Sequence, residues 1–228
     1  MSSSAAGSRF AHVIFDWNGT LLDDFPLALR SVNHVLAKHS RSPIDADRYR
    51  EFFGFPIRGF YERIGFNFNV SSIAFEDVMR DYLGVFDPAL RDCPLHDGVL
   101  DLLDHLDACA IPASILTASH QDTLDATLHH FGLAHRFVHR IGLPDSNAHS
   151  KLELARDLQR RLEEREGITC ERILYVGDTT HDGEIARAMG WGCVAIPRGH
   201  QPRSTLLADG LQLVERLHEL QLLVGGTR

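Results

Sequence analysis

The stretch around Asp16 constrains the fold of this chain most strongly. An apolar run over residues 11–15 ends at Asp16, and Gly19 follows three residues later. A β-forming run that ends in a carboxylate and breaks at a glycine places that carboxylate at the C-terminal edge of a parallel sheet, where open α/β folds bind ligands. At such a place an aspartate can ligate a metal ion, attack phosphorus, or cap the turn as a polar strand end.

Helical and strand patterns alternate along the second half of the chain. Apolar periodicity predicts helices over 97–109, 121–131, 152–166, 184–189 and 211–223, and short strands over 113–116, 137–141, 172–176 and 193–196. Strands that alternate with helices require a parallel sheet with right-handed crossovers. The sequence therefore predicts an α/β fold built on a doubly wound parallel sheet.

A helical segment stands between the first strand and this alternating region. Helical periodicity is predicted over 25–39, 45–53, 56–64 and 71–86. Eight of the 13 phenylalanines fall between Phe52 and Phe86, a density typical of a compact helical core that can also roof a pocket. We therefore predict a core over 9–24 and 91–228 with a helical cap over 25–90.

Charge and cysteine usage limit the partners of the chain. A formal net charge of −8 argues against binding to nucleic acid, because little would neutralise the phosphate backbone. No apolar run approaches the length of a membrane span, and residues 1–8 lack the pattern of a secretion signal. The four cysteines form no C-x-x-C pair, so we expect reduced thiols. We expect a cytoplasmic protein with a loose N-terminus and a small-molecule partner; its oligomeric state is left open.

Further polar residues follow the Asp16 stretch in chain order. A predicted strand ends at Thr117, Lys151 is the only lysine after Lys38, and the strand over 172–176 leads into the sequence Gly-Asp-Thr-Thr-His-Asp at 177–182. Carboxylates that follow strands of one sheet can converge, and crowded carboxylates favour a cation such as Mg²⁺, which prefers oxygen ligands. Taken singly, these residues can also end a strand, begin a helix, or form an N-cap.

Taken together, these residues make the chain resemble the haloacid dehalogenase superfamily of phosphohydrolases, and within it the phosphoglycolate-phosphatase-like branch. The resemblance extends over nearly the whole chain. It implies a Rossmann-like core with an inserted helical cap. It also implies a magnesium-dependent phosphatase that cleaves a small phosphorylated metabolite through an aspartyl-phosphate.

The resemblance also implies a role for each residue of the motifs. Asp16 would be the nucleophile, and Lys151 would balance the charge of the nucleophile and the phosphate. The implied magnesium ligands are carboxylates and one backbone carbonyl: Asp16, Asp178, Asp182 and the carbonyl of Asn18. The implied phosphate-binding residues are Thr117, Ala118, Ser119 and Lys151.

Asn18 departs from the pattern of the family. Its phosphatases usually carry an aspartate there, which protonates the leaving alcohol and later deprotonates water, and general acid–base help of this kind contributes about 10²–10⁴ in rate. An asparagine cannot do this, although Asp24 or His181 could supply the proton. Four interpretations of this departure stay open. The protein is a slow phosphatase, a relative that binds a phosphometabolite or partner protein without efficient turnover, a relative that cleaves a different bond, or a variant engineered to trap an intermediate.

Overall fold

The computed structural model describes residues 9–70, 73–144 and 150–225. The N-terminus predicted to be loose, residues 1–8, lies outside this part of the chain. So do residues 145–149, which precede Lys151. Among the described residues, none of the helices combines the length and apolar character needed to cross a bilayer. The four cysteines are free thiols.

One parallel sheet lies at the centre of the described chain. Its six strands are β1 (His12–Phe15), β2 (Ala113–His120), β3 (Arg140–Leu143), β4 (Ile173–Gly177), β5 (Gly192–Ala195) and β6 (Gln212–Leu213). Their order is β3-β2-β1-β4-β5-β6, and every neighbouring pair is parallel. From β1 the chain passes outward to β2 and β3, then crosses back to β4 on the other side of β1, so the switch point at which such sheets bind ligands lies between β1 and β4. The prediction of a doubly wound parallel sheet is confirmed.

Helices cover both faces of the sheet. The insert between β1 and β2 begins with α1 (Phe25–Lys38), α2 (Ala46–Phe52), α3 (Ile57–Arg63) and α4 (Phe75–Ala89). The remaining helices are α5 (Val99–Ala108), α6 (Gln121–His130), α7 (Lys151–Glu166), α8 (Thr180–Met189), α9 (Arg203–Ala208) and α10 (Leu220–Val224). Alternation along β1 sends Phe15 into the apolar cluster of α5 and α6, and Ile14 into that of α7 and α8.

The prediction of one helix over 211–223 is wrong. That segment contains the edge strand β6, a 3₁₀ turn over Leu217–Glu219, and the short helix α10. Its buried residues Leu211, Val214, Leu217 and Leu220 recur every third position, which imitates a helix. The first part is extended instead because β6 pairs with β5 at the sheet edge. The helix α9 was not predicted.

Several element boundaries also differ from the prediction. The strand expected over 137–141 is β3, Arg140–Leu143. The helix α8 begins at Thr180 rather than at residue 184, because Thr179 and Asp182 form a capping box. The helix α4 begins at Phe75 and continues through Pro88 to Ala89; residues 71 and 72 of the predicted helix lie outside the described residues.

The two chain crossings between the insert and the sheet are hydrogen-bonded to each other. The backbone N–H of Asp23 donates to the carbonyl of Pro94 at 2.9 Å, and that of His96 donates to Leu21 at 2.9 Å. One apolar cluster also runs from β1 and β2 into α1 and α4. The division of the chain into a core and a cap at residues 25 and 90 stays a prediction.

Candidate active site

Three buried carboxylates meet at the C-terminal edge of the sheet. Asp16 directly follows β1, Asp178 directly follows the neighbouring strand β4, and Asp182 lies in the first turn of α8. One carboxylate oxygen from each residue lies within 4.8 Å of the others. The convergence of carboxylates that follow strands of one sheet, which the sequence indicates, is therefore present, and the strands before Asp16 and Asp178 are neighbours.

Lys151 joins this group from the first position of α7, where a capping box of Ser150 and Glu153 begins the helix. Its Nζ lies 2.7 Å from Oδ1 of Asp182 and 3.0 Å from Oδ1 of Asp16. Burial alone would lower the pKa of this lysine, but the two carboxylates raise it above its ordinary range. Lys151 is therefore a fixed positive charge beside Asp16.

Asp182 is held by donors on both of its oxygens. The Tyr175 hydroxyl donates to Oδ1 at 3.0 Å, and Oδ2 accepts from the hydroxyl of Thr179 at 2.7 Å and from its backbone N–H at 3.0 Å. Burial would raise the pKa of Asp182, but Lys151 and these donors hold it below the ordinary value. These contacts favour an orienting role for Asp182, which fixes Lys151 and caps α8.

Asp178 lies in a cradle made by two glycines. A Cβ atom at Gly19 would lie 2.3 Å from Oδ2 of Asp178, and one at Gly199 would lie 2.1 Å from the same atom. The backbone N–H of His200 donates to that oxygen at 2.7 Å. Gly19 also has a φ of +73°, which residues with a side chain rarely adopt. Both glycines let the backbone close around this carboxylate.

The electrostatics of Asp16 and Asp178 suit a cation. Burial raises the pKa of Asp16 to about 6, with Asp182 adding to the shift and Lys151 opposing it. Burial also raises the pKa of Asp178 to about 7, with Asp182 and Asp16 adding and His200 opposing. One lysine and one histidine therefore leave the carboxylates incompletely neutralised. A set of hard oxygen donors in this state fits Mg²⁺.

The side chain of Asn18 is fixed by two partners. Its Nδ2 donates to Oδ2 of Asp24 at 2.9 Å, and its Oδ1 accepts from the Ser119 hydroxyl at 2.5 Å. Asp24 also accepts from the backbone N–H of Gly19 at 2.7 Å. Because an ionised carboxylate only accepts hydrogen bonds, the asparagine must present its NH₂ group to Asp24. These bonds hold the amide in place, and because an amide N–H is far too weak an acid, Asn18 cannot act as a general acid.

Sequence reasoning missed His200. Its Nε2 lies 3.4 Å from Oδ1 of Asp24, and its Nδ1 lies 3.0 Å from the Tyr49 hydroxyl. Burial would lower the pKa of His200, but Asp24 and Asp178 raise it to about 9. The effects on Asp24 are the reverse: burial would raise its pKa, but His200 holds it below the ordinary value. The residues after β5 face the same sheet edge as Asp16, and this position was the signal that could have indicated His200.

The predicted phosphate-binding stretch lies at an irregularity of β2. Leu116 pairs with Ile141 and His120 pairs with Leu143, so four steps along β2 match two steps along β3. The residues between, 117–119, therefore fall out of register, and all three line the cavity above Asp16. The backbone N–H of Ser119 donates to the Thr117 hydroxyl at 3.3 Å.

A cavity of about 450 Å³ lies between the sheet edge and the insert. Every predicted site residue except Asp182 lines it, together with Asp24 and His200. His181, one of the two alternative proton sources, is not among the described lining residues. Its Nδ1 lies 3.1 Å from Oε2 of Glu184, and its ring stacks on Phe55. The volume lies within the range of about 300–1,000 Å³ typical of small-molecule pockets.

Comparisons with known proteins agree with this arrangement. A family model described as "Haloacid dehalogenase-like hydrolase" matches residues 13–196. A phosphoglycolate phosphatase from Synechococcus elongatus is 31% identical over 197 residues, which cover 86% of this chain and 88% of that protein. A 5'-nucleotidase from Pseudomonas aeruginosa is 26% identical over 208 residues, which cover 89% of this chain and 90% of that protein.

A solved structure shares the fold. A haloacid dehalogenase-like family hydrolase from Streptococcus pneumoniae superposes with a TM-score of 0.78 at 19% identity. The superposition covers 94% of this chain and 98% of that one. The arrangement of the sheet and insert is therefore the arrangement found in that structure.

Proposed function

Since the chain belongs to the haloacid dehalogenase-like hydrolase family, we propose that it is a magnesium-dependent phosphatase that cleaves a small phosphorylated metabolite through an aspartyl-phosphate on Asp16. The observation that carries this proposal is the contact of buried Lys151 with Asp16, at 3.0 Å, beside Asp178 and beneath a cavity. Relatives named phosphoglycolate phosphatase and 5'-nucleotidase support a phosphomonoester substrate.

The proposed ligands of Mg²⁺ are oxygens of Asp16 and Asp178 and the backbone carbonyl of Asn18. Asp182, also predicted as a ligand, is better placed to orient Lys151, because both of its oxygens already accept hydrogen bonds. When bound, the ion would neutralise the carboxylates and the phosphoryl oxygens and orient the substrate.

The residues of the chain divide the remaining work. A carboxylate oxygen of Asp16 attacks phosphorus as the bond from phosphorus to the alcohol oxygen breaks and the alcohol leaves; water then hydrolyses the aspartyl-phosphate to Asp16 and phosphate. The Lys151 ammonium stabilises charge on the phosphoryl oxygens. The Thr117 hydroxyl, which accepts from the Ser119 backbone N–H, and the backbone N–H of Ala118 donate to the same oxygens. The apolar insert excludes water from the group in transfer.

Asn18 limits the reaction. Its amide is occupied by Asp24 and Ser119 and has no proton for a leaving alkoxide. Esters with good leaving groups need little such help, so the enzyme should cleave aryl phosphates more readily than alkyl phosphates. It should therefore be a phosphatase with a weakened acid–base step.

Turnover of p-nitrophenyl phosphate tests the proposal. We expect activity with Mg²⁺ that is abolished by a chelator and restored by excess Mg²⁺. Asp178→Asn should abolish it, whereas Asp157→Asn, which changes an exposed aspartate paired with Arg160, should not. Wild-type turnover that is equal with and without a chelator would contradict the role of the metal.

A further inference from the structure

The residues of the insert that line the cavity form one side of it, which we call the wall, and this wall carries almost no charge. Of the 13 described lining residues from 25–90, nine have purely apolar side chains, three are tyrosines, and one is Asp87. Asp87 is half-buried, and burial raises its pKa, with His120 opposing. A substrate group that reaches this wall therefore meets aromatic rings, tyrosines and a carboxyl group.

Cations are absent from this wall among the described residues. None of the insert's arginines lines the cavity, and several have other partners: Arg50 stacks on Phe25, Arg63 donates to the carbonyl of Phe52, and Arg58 pairs with Glu62. The two internal segments outside the described chain, 71–72 and 145–149, contain neither lysine nor arginine. The basic side chains that line the cavity, those of Lys151, His200 and His120, all belong to the sheet side. Lys151 and His200 contact carboxylates of the sheet edge, and His120 acts on Asp87.

The tyrosines supply neutral hydrogen-bonding groups. The Tyr61 hydroxyl is buried and has no hydrogen-bond partner within the described chain. Burial raises the pKa of Tyr61, so the hydroxyl keeps its proton and remains a donor. A buried donor without a partner is unfavourable, and a ligand atom that accepts from it would relieve this.

We propose that the substrate, on the basis of the function proposed above, is the phosphate monoester of an uncharged alcohol with an aromatic or bulky apolar body. A carboxylate at the far end of the substrate would lose its hydration and meet Asp87, and the described residues of the insert offer it no cation. An aromatic body would instead bury apolar surface against phenylalanines such as Phe53 and Phe60. Phosphoglycolate, whose alcohol carries a carboxylate, fits this wall poorly.

Three esters test the proposal: benzyl phosphate, 4-carboxybenzyl phosphate and phosphoglycolate. The first two have closely similar leaving groups, so their comparison isolates the distant charge from the chemistry of the ester bond. We expect kcat/KM for benzyl phosphate to exceed both others by about 10²-fold, the discrimination typical of an apolar pocket. A kcat/KM for either carboxylated ester that equals or exceeds that of benzyl phosphate would overturn the proposal.

A matched pair of variants tests the wall itself. Met79 lines the cavity and is only partly buried, so Met79→Lys adds the missing cation and Met79→Gln adds a neutral polar group of similar length. Relative to Met79→Gln, Met79→Lys should shift the preference toward 4-carboxybenzyl phosphate by about 10-fold or more. An unchanged preference in a Met79→Lys protein with a native circular dichroism spectrum would contradict the claim that the wall sets the substrate preference. If that variant does not fold, the comparison of the three esters with wild-type enzyme tests the claim.

Failure of the proposed function gives a different result. An enzyme that hydrolyses none of the three esters, nor p-nitrophenyl phosphate, would contradict the proposed phosphatase activity but not the proposed ligand preference of the cavity. In that case, calorimetric titration of the wild-type protein with benzylphosphonate and 4-carboxybenzylphosphonate in Mg²⁺ tests the ligand preference. Tighter binding of benzylphosphonate supports it, and equal or tighter binding of the carboxylated compound overturns it.

Discussion

The sheet edge and the insert face one cavity but are built from different interactions. The edge is built from charged groups that contact one another or other polar groups of the site: Asp16, Asp24, Asp178, Asp182, Lys151 and His200. On the insert side, the wall is made of aromatic rings that pack on one another, such as Tyr49 on Phe53 and Phe60. The edge is therefore suited to the transfer of a phosphoryl group, whereas the wall is suited to the choice of its alcohol.

This difference predicts that substitutions at the edge reduce turnover of every substrate. Substitutions in the wall should instead change the ranking of substrates. The strongest test of the edge removes the nucleophile. Asp16→Asn should lower kcat on p-nitrophenyl phosphate by on the order of 10⁴–10⁶, as loss of a nucleophile or its partner does elsewhere. Residual turnover within about 10-fold of wild type in a freshly prepared Asp16→Asn protein would show that another group attacks phosphorus.

A charge swap between Asn18 and Asp24 tests the missing acid. In Asn18→Asp alone, two carboxylates would meet across the 2.9 Å contact that now joins Nδ2 to Oδ2. The double variant Asn18→Asp/Asp24→Asn keeps that hydrogen bond with its direction reversed. It should raise turnover of alkyl phosphates by about 10²–10⁴ over wild type, and that of aryl phosphates much less.

The single variants are the controls for the swap. Asp24→Asn alone should give no gain, since it adds no acid at position 18. Equal gains on alkyl and aryl esters in the double variant would mean that proton transfer is not what Asn18 limits.

Lys151 is the next test of the edge. Lys151→Met preserves much of the side-chain volume but removes the charge between Asp16 and Asp182. Loss of one group that stabilises transition-state charge typically costs about 10²–10³ in kcat, and we expect this for every ester alike. A loss confined to one substrate would show that Lys151 recognises the alcohol of the substrate, which would contradict the assignment of that role to the wall alone.

Metal binding gives a test that does not depend on turnover. Mg²⁺ at about 100 times its Kd should stabilise the protein by about 2.7 kcal/mol, which raises Tm by about 5–10 °C in a chain of this size. Asp178→Asn should remove most of this shift, while Asp157→Asn should keep it. A shift that persists in Asp178→Asn would place the ion elsewhere.

The smallest effect is expected where the wall touches the edge. Tyr49→Phe removes the hydroxyl that lies 3.0 Å from Nδ1 of His200 but keeps the ring. We expect a loss of about 1 kcal/mol in the free energy of unfolding, the usual net contribution of one hydrogen bond. Urea denaturation measures this loss. A fall in kcat as large as that of Lys151→Met would make Tyr49 part of the catalytic edge.

The sequence predicts the edge better than the wall because strand ends have a fixed direction. Once both strands are assigned to one parallel sheet, the residues that follow them, Asp16 and Asp178, must lie at the same edge. The region 25–90 was recognised as helical and rich in phenylalanine. Which rings line the cavity depends on tertiary packing, which periodicity does not encode.

Asp182 shows why one pattern carried two interpretations. The residues Thr179 and Asp182 form the N-cap that the sequence allowed as a structural alternative. The same Asp182 carboxylate also binds Lys151, at 2.7 Å. His200 was missed for a different reason, since the loop after β5 carries no motif. Its place after β5 puts it at the same edge as Asp16, but its partners Asp24 and Tyr49 come from distant parts of the chain and only the fold brings them next to it.

The most direct test of the account is the detection of a phosphoryl group on Asp16. Wild-type protein with Mg²⁺ and p-nitrophenyl phosphate should be quenched in acid, digested, and examined by mass spectrometry with and without hydroxylamine. Because Asn18 supplies no base for attack by water, the aspartyl-phosphate should accumulate, and we predict a hydroxylamine-sensitive phosphoryl group on the peptide that contains Asp16. Turnover under these conditions with no phosphoryl group on that peptide, or with one on another residue, would contradict the account.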